Sequence, residues 1–403
     1  MIRLNVWVTF QDGSRIRCGQ MVCSDPDDRG RRRGAFRYDD GYLDHPMAFP
    51  IDPVELPLLS GDFETDRHSG VFLVFEDSLP DAWGRRLLVR KARLPRSMQN
   101  LPGLLKALAG AGLGALSFFD EGFEPVEDNF VSVIEIENLL HETRRFEKGL
   151  NVDDDQIRLL LKAGSSPGGG RPKALVQTED GDQWIAKFPS VQDSLDIVPI
   201  EAATTSLAAK AGIETARIRV MDVSGRKVLL VKRFDVTSEG GRCHMISFQT
   251  LLGIDPAEGY YNLGYRDLYG IVRKYGSRPE TDITALYRQM VFNGFIGNTD
   301  DHLKNFIMLG GESGYILSPA FDLLADIENR HEHILHFTYG YYFPGKTHLA
   351  EFGKRLGVSK AALVVNEIAE VVATWQDEFK AFAVPASDIE NLSAGIARRL
   401  TKG

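Results

Sequence analysis

Hydrophobic and polar positions alternate along the first sixty residues, as they do in strands with one buried face. The runs "LNVWVTF" and "GAFRYDDGYL" show this alternation, and glycine and aspartate turn signals separate them. The periodicity becomes helical over "FEDSLPDAWGRRLLVRKARL", where Ser78 or Asp81 is a candidate cap. The pattern therefore predicts a β-rich start followed by a helix.

The longest apolar stretch covers residues 101–119, "LPGLLKALAGAGLGALSFF". Its length would permit a membrane span, but Pro102, Lys106 and several glycines interrupt it. A helix followed by a loop and a strand explains the pattern better.

Domain boundaries are expected near residues 150 and 235, which divides the chain into 1–150, 151–235 and 236–403. The middle part reads as a short helix, a glycine-rich loop, two strands, a helix and a hairpin, over "DDDQIRLLLKAG", "GSSPGGGRPK", "ALVQT", "QWIAKF", "VPIEAATTSLAAKAGI", "ARIRVMDV" and "KVLLVKRFD". The last part is mostly helical. These features predict an α+β protein in which a small β-rich lobe precedes a larger helical lobe.

Composition places the chain among ordinary globular proteins, with 43% hydrophobic and 26% charged residues in a length of 403. A net charge of -9 argues against a protein that mainly coats nucleic acid. The sparse, odd set of cysteines, Cys18, Cys23 and Cys243, favours a reducing cytoplasm over a disulfide scaffold. The first residues lack the apolar core of a signal peptide, so we expect a cytoplasmic protein.

The stretch "IGNTDDHLKNF", residues 296–306, places several ionisable side chains between a predicted helix and a predicted strand. Asp300 and Asn305 have the spacing D-x-x-x-x-N, which kinase catalytic loops use to place a base and a metal ligand together. Asp322 follows 17 residues after Asn305, between apolar neighbours, where a carboxylate is costly unless it meets a cation. The set predicts Mg²⁺-dependent phosphoryl transfer, although Asp300 could instead cap a helix and Asp322 could pair with an arginine.

Two features before this stretch fit the same chemistry less specifically. The glycine loop "GSSPGGGRPK" could approach phosphates, but Gly170 stands where a Walker A loop has lysine, and a flexible linker would look similar. Lys187 shares a predicted strand face with Ile185 and could reach phosphates from a cleft, or it could be a solvated edge lysine. Glu201 could pair with Lys187 or simply favour the first turn of a helix.

The sequence resembles the HipA family of serine/threonine kinase toxins over nearly its whole length. The resemblance is carried by the N-terminal, phosphate-loop, hinge, catalytic and metal-binding segments, which here read "FEDSLPDAWGRRLL", "GLGALSFF", "SSPGGGRPKALV", "VLLVKRFD", "IGNTDDHLKNF" and "PAFDLL". It implies a two-lobed protein-kinase-like fold with an additional N-terminal subdomain.

The resemblance also implies a role for individual residues. It implies that Asp300 orients the target hydroxyl, within a catalytic segment that includes His302 and Lys304. Asn305 and Asp322 would hold Mg²⁺. ATP would be bound by Lys187, Gly168, Gly169, Gly170, Val231, Lys232 and Phe234. Ser166, or its neighbour Ser165, would be the autophosphorylated serine of the glycine loop.

The implied partners are a helix-turn-helix antitoxin of the HipB type, operator DNA through that antitoxin, and a protein substrate; no membrane is implied. The family precedent for the substrate is an aminoacyl-tRNA synthetase. Two other functions remain open from the sequence. One is a small-molecule phosphotransferase of related fold, and the other is a non-catalytic co-repressor that binds its antitoxin.

Two residues depart from the family pattern, and a run of histidines lies outside the segments that resemble the family. Asp301 stands where a small residue is common, and it could raise the pKa of Asp300 or take a metal. Lys232 occupies a hinge position that is often acidic. The histidines of "HEHILH", residues 331–336, include His331 and His333 on one possible strand face, but no obvious acidic partner favours a metal site there.

Overall fold

The computed structural model describes residues 1–110, 112–125, 131–150, 170–255, 262–311, 314–338 and 340–403. The chain forms two compact units. The first comprises Met1–Val191, Lys232–Ala257 and Met308–Ser313. The second comprises Gln192–Val231, Glu258–Ile307 and Gly314–Gly403.

Strands and helices are numbered here in chain order. The strands β1 to β15 are Ile2–Thr9, Arg15–Cys23, Gly34–Tyr38, Asp62–Thr65, Leu116–Phe119, Val131–Ser132, Lys173–Gln177, Gln183–Lys187, Ile218–Val223, Arg226–Lys232, His244–Ser247, Ile307–Gly311, Gly314–Leu317, Glu332–Phe337 and Gly340–Tyr342. The helices α1 to α13 are Asp40–Leu43, Leu73–Asp77, Ala82–Lys91, Leu101–Leu108, Ile136–Glu147, Ile197–Lys210, Phe248–Leu251, Tyr265–Tyr275, Pro279–Ile296, Lys346–Arg355, Ala361–Ala373, Trp375–Ala381 and Ala386–Thr401. Short 3₁₀ helices cover Arg96–Met98, Val133–Glu135 and Leu303–Asn305.

An antiparallel sheet with strand order β4-β3-β2-β1-β5 opens the first unit. The alternation of β1 places Leu4, Val6 and Val8 on one face, where all three are fully buried. The predicted β-rich start is therefore confirmed. One detail is wrong: the "DDGYL" end of the second run turns into α1, because aspartate and glycine favour turns over strand continuation.

The apolar stretch 101–119 forms α4 and then β5, as the sequence predicts. Asp81, one of the two candidate caps, accepts a hydrogen bond from the backbone N–H of Gly84 at the start of α3. Within the part of the chain that the structure describes, no helix combines the length and apolar character needed to cross a bilayer.

A second group of strands in the first unit contains β6, β7 and β8. β7 pairs in parallel with β6 and antiparallel with β8, with Lys173 opposite Lys187. The predicted strands "ALVQT" and "QWIAKF" are thus confirmed. The helix predicted over "DDDQIRLLLKAG" lies outside the described residues.

The second unit is built around α9, whose side chains are buried on most sides. This helix starts with Pro279 in its first turn, a position where the missing N–H costs nothing. It contacts α8, α11 and α13, and α6 lies against α12. Strands β9 and β10 form the predicted hairpin. The α+β prediction is confirmed, with most of the sheet structure in the first unit and most of the helices in the second.

Candidate active site

The polar stretch of residues 297–306 begins where α9 ends. Gly297 terminates the helix in the left-handed conformation, with φ of 77°. A Cβ atom there would lie 2.6 Å from the guanidinium carbon of Arg399, so glycine is required by space as well as by conformation. The backbone N–H of Asn298 then donates to the carbonyl of Asn293 at 2.9 Å. The polar stretch therefore follows directly after a buried helix and ends just before the buried residue Ile307 of β12.

Asn305 is hydrogen-bonded to two earlier residues of this stretch. Its Nδ2 donates to the carbonyl oxygen of Asp300 at 2.9 Å, and its backbone N–H donates to the carbonyl of His302 at 2.9 Å. Its side chain is buried, yet Oδ1 has no hydrogen-bond partner among the described residues. A buried amide oxygen without a donor is costly, and a bound cation would satisfy it.

Asp322 adopts an unusual backbone conformation, with φ of 55°. Such a conformation costs energy for residues other than glycine, although aspartate and asparagine tolerate it best. The segment before it is fixed by a bridge to residues 214–216, in which the N–H of Ala320 donates to Glu214 at 2.8 Å. Asp322 itself is half-buried between buried Phe321 and Leu323, which fits the pattern of a functional residue held in place by its surroundings.

A buried ion pair fixes the segment that follows Asp322. Arg399 of α13 contacts Asp326 at 2.7 Å, and both side chains are almost fully buried. The same guanidinium donates to the carbonyl of Arg330 at 2.9 Å, while the N–H of Arg330 donates to Asp326 at 2.7 Å. These bonds tie the last helix of the chain to the loop that starts at Asp322.

Partial burial and four charged neighbours act on the pKa of Asp300. Partial burial raises the pKa of Asp300, and the negative charges of Asp322 and Asp301 raise it further, whereas His302 and Arg330 oppose the shift. The 3₁₀ helix begins at Leu303 with His302 at its N-cap position, so the alternative that Asp300 caps a helix is wrong.

The oxygens of Asn305, Asp300 and Asp322 suit a hard divalent cation. No group of three or more His, Cys, Asp and Glu side chains with metal-binding geometry occurs in the described ranges. An amide oxygen and carboxylates from two segments instead supply the oxygen ligands that Mg²⁺ accepts, with water or phosphate completing the shell. The residues present therefore fit the ion that the family resemblance implies.

The other residues singled out in this stretch differ from one another in exposure and contacts. His302 is half-buried, and its Nδ1 has no hydrogen-bond partner within the described part of the chain. Lys304 is half-buried in the 3₁₀ helix. Asp301 points elsewhere: its carboxylate is completely buried and accepts hydrogen bonds from Tyr265, His333 and the β14 backbone.

The predicted phosphate-binding residues that are described lie in the first unit. Lys187 is the half-buried last residue of β8, and Gly170 is exposed just before β7. Gly168, Gly169, Ser165 and Ser166 lie outside the described residues. In the second unit, Glu201 is buried in the second turn of α6, so its role as a first-turn carboxylate is wrong.

The hinge segment contains a polar cluster that the sequence reading missed. Val231 is buried at the end of the hairpin, and Phe234 is half-buried. Lys232 forms an ion pair with Asp182 at 2.5 Å, in the turn between β7 and β8. Arg233 and Asp235, on either side of Phe234, form a buried ion pair at 2.6 Å, which their two-residue spacing on an extended segment could have indicated.

Family models match two parts of the chain. A family model described as "HipA-like C-terminal domain" matches residues 165–376, and one described as "HipA N-terminal domain" matches residues 18–119. Two Sinorhizobium fredii proteins are similar: "Putative kinase Y4mE" is 28% identical over 351 residues, covering 80% of this chain and 77% of that protein. "Putative kinase Y4dM" is 29% identical over 268 residues, covering 63% and 62%.

A solved structure has the same fold at low sequence identity. The HipA chain of a Shewanella oneidensis complex of HipA, HipB and operator DNA matches with a TM-score of 0.70 and 18% identity. The match covers 98% of this chain and 96% of that one. The match of the C-terminal family model over more than half of the sequence establishes that the chain belongs to the HipA family.

Proposed function

We propose that this protein is an ATP- and Mg²⁺-dependent serine/threonine protein kinase that acts as the toxin of a toxin–antitoxin pair. The observation that carries the proposal is the unsatisfied Oδ1 of buried Asn305, whose Nδ2 donates to the backbone carbonyl of Asp300. Native folds seldom leave a buried acceptor without a donor, so this oxygen is a candidate ligand for a cation.

In the proposed reaction, Asp300 orients the hydroxyl of the target and accepts its proton as phosphate is transferred. Its exposure allows it to meet a substrate, and a raised pKa makes its carboxylate a better proton acceptor. Asn305 and Asp322 would hold Mg²⁺, which would neutralise charge on the nucleotide phosphates. His302 and Lys304 would assist in the same catalytic segment.

The nucleotide would be held mainly by residues of the first unit. We assign phosphate binding to Lys187 and to the glycines Gly168, Gly169 and Gly170. The segment from Val231 to Phe234 would lie along the adenine. Because the amine of Lys232 is engaged with Asp182, the backbone of this segment would do the recognition. Ser166, or neighbouring Ser165, would be autophosphorylated.

The proposed partners follow from family membership. The Shewanella oneidensis structure contains HipB and operator DNA, and we infer a HipB-type antitoxin for this chain. A cytoplasmic protein, with an aminoacyl-tRNA synthetase as the family precedent, would be the phosphorylated target.

The test is phosphate transfer from γ-labelled ATP by the full chain, with and without Mg²⁺. The wild type is expected to label protein. Asp300→Asn should lower the rate by roughly 10²- to 10⁴-fold, because the base is lost while the side chain keeps its shape. Asp377→Asn, which changes an exposed aspartate of the same unit, serves as the matched control and should retain activity.

The same assay separates the competing functions. Label on a soluble acceptor, with none on protein, would identify a small-molecule phosphotransferase. Binding of the antitoxin without any label transfer would identify a non-catalytic co-repressor. Full activity of Asp300→Asn would remove the assignment of that residue as the base.

A further inference from the structure

The carboxylate of Asp301 is saturated by donors from two other elements of the second unit. Oδ2 accepts the hydroxyl hydrogen of Tyr265 on α8 at 2.7 Å and contacts Nδ1 of His333 at 3.2 Å. Oδ1 accepts the backbone N–H groups of Ile334 at 3.0 Å and Leu335 at 3.2 Å. A carboxylate offers about four acceptor positions, so all of them are used.

His333 must donate to Asp301 rather than accept from it. An ionised carboxylate only accepts hydrogen bonds, so the proton lies on Nδ1 of the imidazole. Nε2 of His333 is buried and has no partner among the residues that the structure describes. A neutral imidazole with its one proton directed at Asp301 is the form that leaves no buried N–H unsatisfied. Asp301 is thus the acidic partner that the histidine run lacked in the sequence.

The hydrogen bonds around Asp301 extend to residues on both sides of Asp300. Beyond Tyr265, Nδ2 of Asn293 donates to the tyrosine oxygen at 3.1 Å, and Nδ2 of Asn298 donates to Oδ1 of Asn293 at 3.2 Å. Residue 298 precedes Asp300 by two positions and residue 301 follows it directly. The N–H of Ile334 also donates to the carbonyl of Thr299 at 3.2 Å. The backbone around Asp300 is therefore held by a continuous set of buried bonds.

We propose that Asp301 is a positioning residue, which fixes the segment carrying Asp300 and Asn305 against β14 and α8, and that it is not a ligand of the cation. The inference rests on the proposed kinase function for its effect on catalysis. Its structural part does not, because the four bonds exist whatever the reaction. Asp301 thus differs in role from the neighbouring Asp300, because all of its acceptor positions are used to hold the fold together.

The test compares Asp301→Asn and Asp301→Ala with the wild type. The alanine variant should lower kcat by about 10- to 100-fold, since a displacement of about 1 Å in a catalytic group has effects of this size. The KM for ATP and the Mg²⁺ concentration for half-maximal rate should change by less than about threefold, because neither nucleotide nor cation contacts are removed. The asparagine variant should recover part of kcat, since its amide oxygen can still accept from the two backbone N–H groups.

Tyr265→Phe tests the network without removing the acid, and Tyr269→Phe is its matched control. Both tyrosines are buried on α8, but the hydroxyl of Tyr269 contacts only the sulfur of Met290 at 3.7 Å among the described groups. Tyr265→Phe should lower kcat by about threefold or more, because the chain of bonds from Asp301 to Asn293 is broken, and Tyr269→Phe should not. This pair decides the matter if Asp301→Ala fails to fold.

Amide hydrogen exchange gives a readout that needs no activity. The amide of Leu335 should exchange faster by about tenfold or more in folded Asp301→Ala, since it loses its acceptor there, whereas the amide of Ile334 keeps the carbonyl of Thr299. Unchanged exchange at the amide of Leu335, or a folded Asp301→Ala with wild-type kcat, would overturn the proposal. A shift of more than about tenfold in the Mg²⁺ requirement of Asp301→Asn would instead identify a metal ligand.

The two proposals fail in different ways. An inactive wild type would refute the kinase, while the exchange experiment would still decide whether Asp301 anchors β14. An active wild type with an inactive Asp300→Asn and unaffected Asp301 and Tyr265 variants would refute only the positioning role.

Discussion

Each unit contains a cluster of acidic and basic groups, and the two clusters balance charge in opposite ways. In the first unit, burial favours neutral Asp235, yet Arg233 and Arg242 outweigh it and hold the pKa of that carboxyl at about 2. The N–H of Gly114 donates to the same carboxylate at 2.8 Å. In the second unit, burial and Asp322 raise the pKa of Asp300.

The difference separates a carboxylate that the fold neutralises from one that we propose acts on a substrate. The Asp235 cluster contains its own cation, so its ionised form is stabilised by the fold. In the second cluster, burial is the main cause of the raised pKa of Asp300, and the buried Oδ1 of Asn305 has no hydrogen-bond partner among the described residues, so an added cation would supply one. Disturbing the first should alter folding, and disturbing the second should alter ligand binding and rate.

The largest effect on stability is expected from Arg233→Met. This change leaves the carboxylate of Asp235 buried beside one fewer cation, and breaking a buried pair in this way costs about 3–5 kcal/mol of unfolding free energy. Urea unfolding of the full chain measures it. The double change Arg233→Met with Asp235→Leu should regain part of the loss, because the carboxylate that Arg233 would have left behind is removed as well. If Arg233→Met alone were as stable as the wild type, Arg233 would not be the cation that stabilises the ionised carboxylate of Asp235.

The next effect is stabilisation by nucleotide and Mg²⁺ together. A ligand that binds only the folded state at 100 times its Kd raises the unfolding free energy by about 2.7 kcal/mol. Asp322→Asn should abolish the part of this gain that requires Mg²⁺, since a carboxylate ligand is lost while asparagine tolerates the same backbone conformation. Thermal unfolding with nucleotide alone, and with nucleotide and Mg²⁺, measures the two contributions.

The control for this experiment is Asp182→Asn, which removes an acid that pairs with Lys232 outside the cation cluster. It should retain the Mg²⁺-dependent gain. An Asp322→Asn variant that is stabilised by Mg²⁺ as strongly as the wild type would contradict the assignment of Asp322 as a ligand.

The local elements around the second cluster could be predicted from the sequence because each is encoded by neighbouring residues. Apolar periodicity predicts α9, glycine marks its end, and the spacing of Asp300 and Asn305 indicates their joint role. The partners of Asp301 could not be predicted in this way. Tyr265 lies 36 positions before it and His333 lies 32 positions after it, so only the tertiary fold brings them together.

The same reasoning explains the residues of the first cluster. The alternation of "VKRFD" indicates that Arg233 and Asp235 share a face, but periodicity does not tell whether that face is solvated or buried. The left-handed backbone of Asp322 is likewise invisible in the sequence, where aspartate follows phenylalanine in an ordinary apolar run.

The smallest expected effect is a shift in the pH dependence of the second cluster. Arg330 lowers the pKa of Asp300, so its removal in Arg330→Gln should raise that pKa further. Since the base must be ionised to accept a proton, the acid limb of kcat/KM should move to higher pH, while the rate on the alkaline side stays unchanged. The direction is fixed by sign alone: losing a positive neighbour disfavours the carboxylate.

Arg330 is suited to this test because its structural bonds use the backbone. Its N–H and carbonyl contact Asp326 and Arg399, whereas its exposed guanidinium pairs with exposed Glu328, a contact worth less than about 1 kcal/mol. Arg330→Lys keeps the charge and should leave the profile in place, and raised ionic strength should shrink the shift in Arg330→Gln because exposed charges are screened. If the acid limb moved to lower pH in Arg330→Gln, or did not move at low salt, it would report a group other than Asp300. The pH profile would then give no support to a catalytic role for the second cluster.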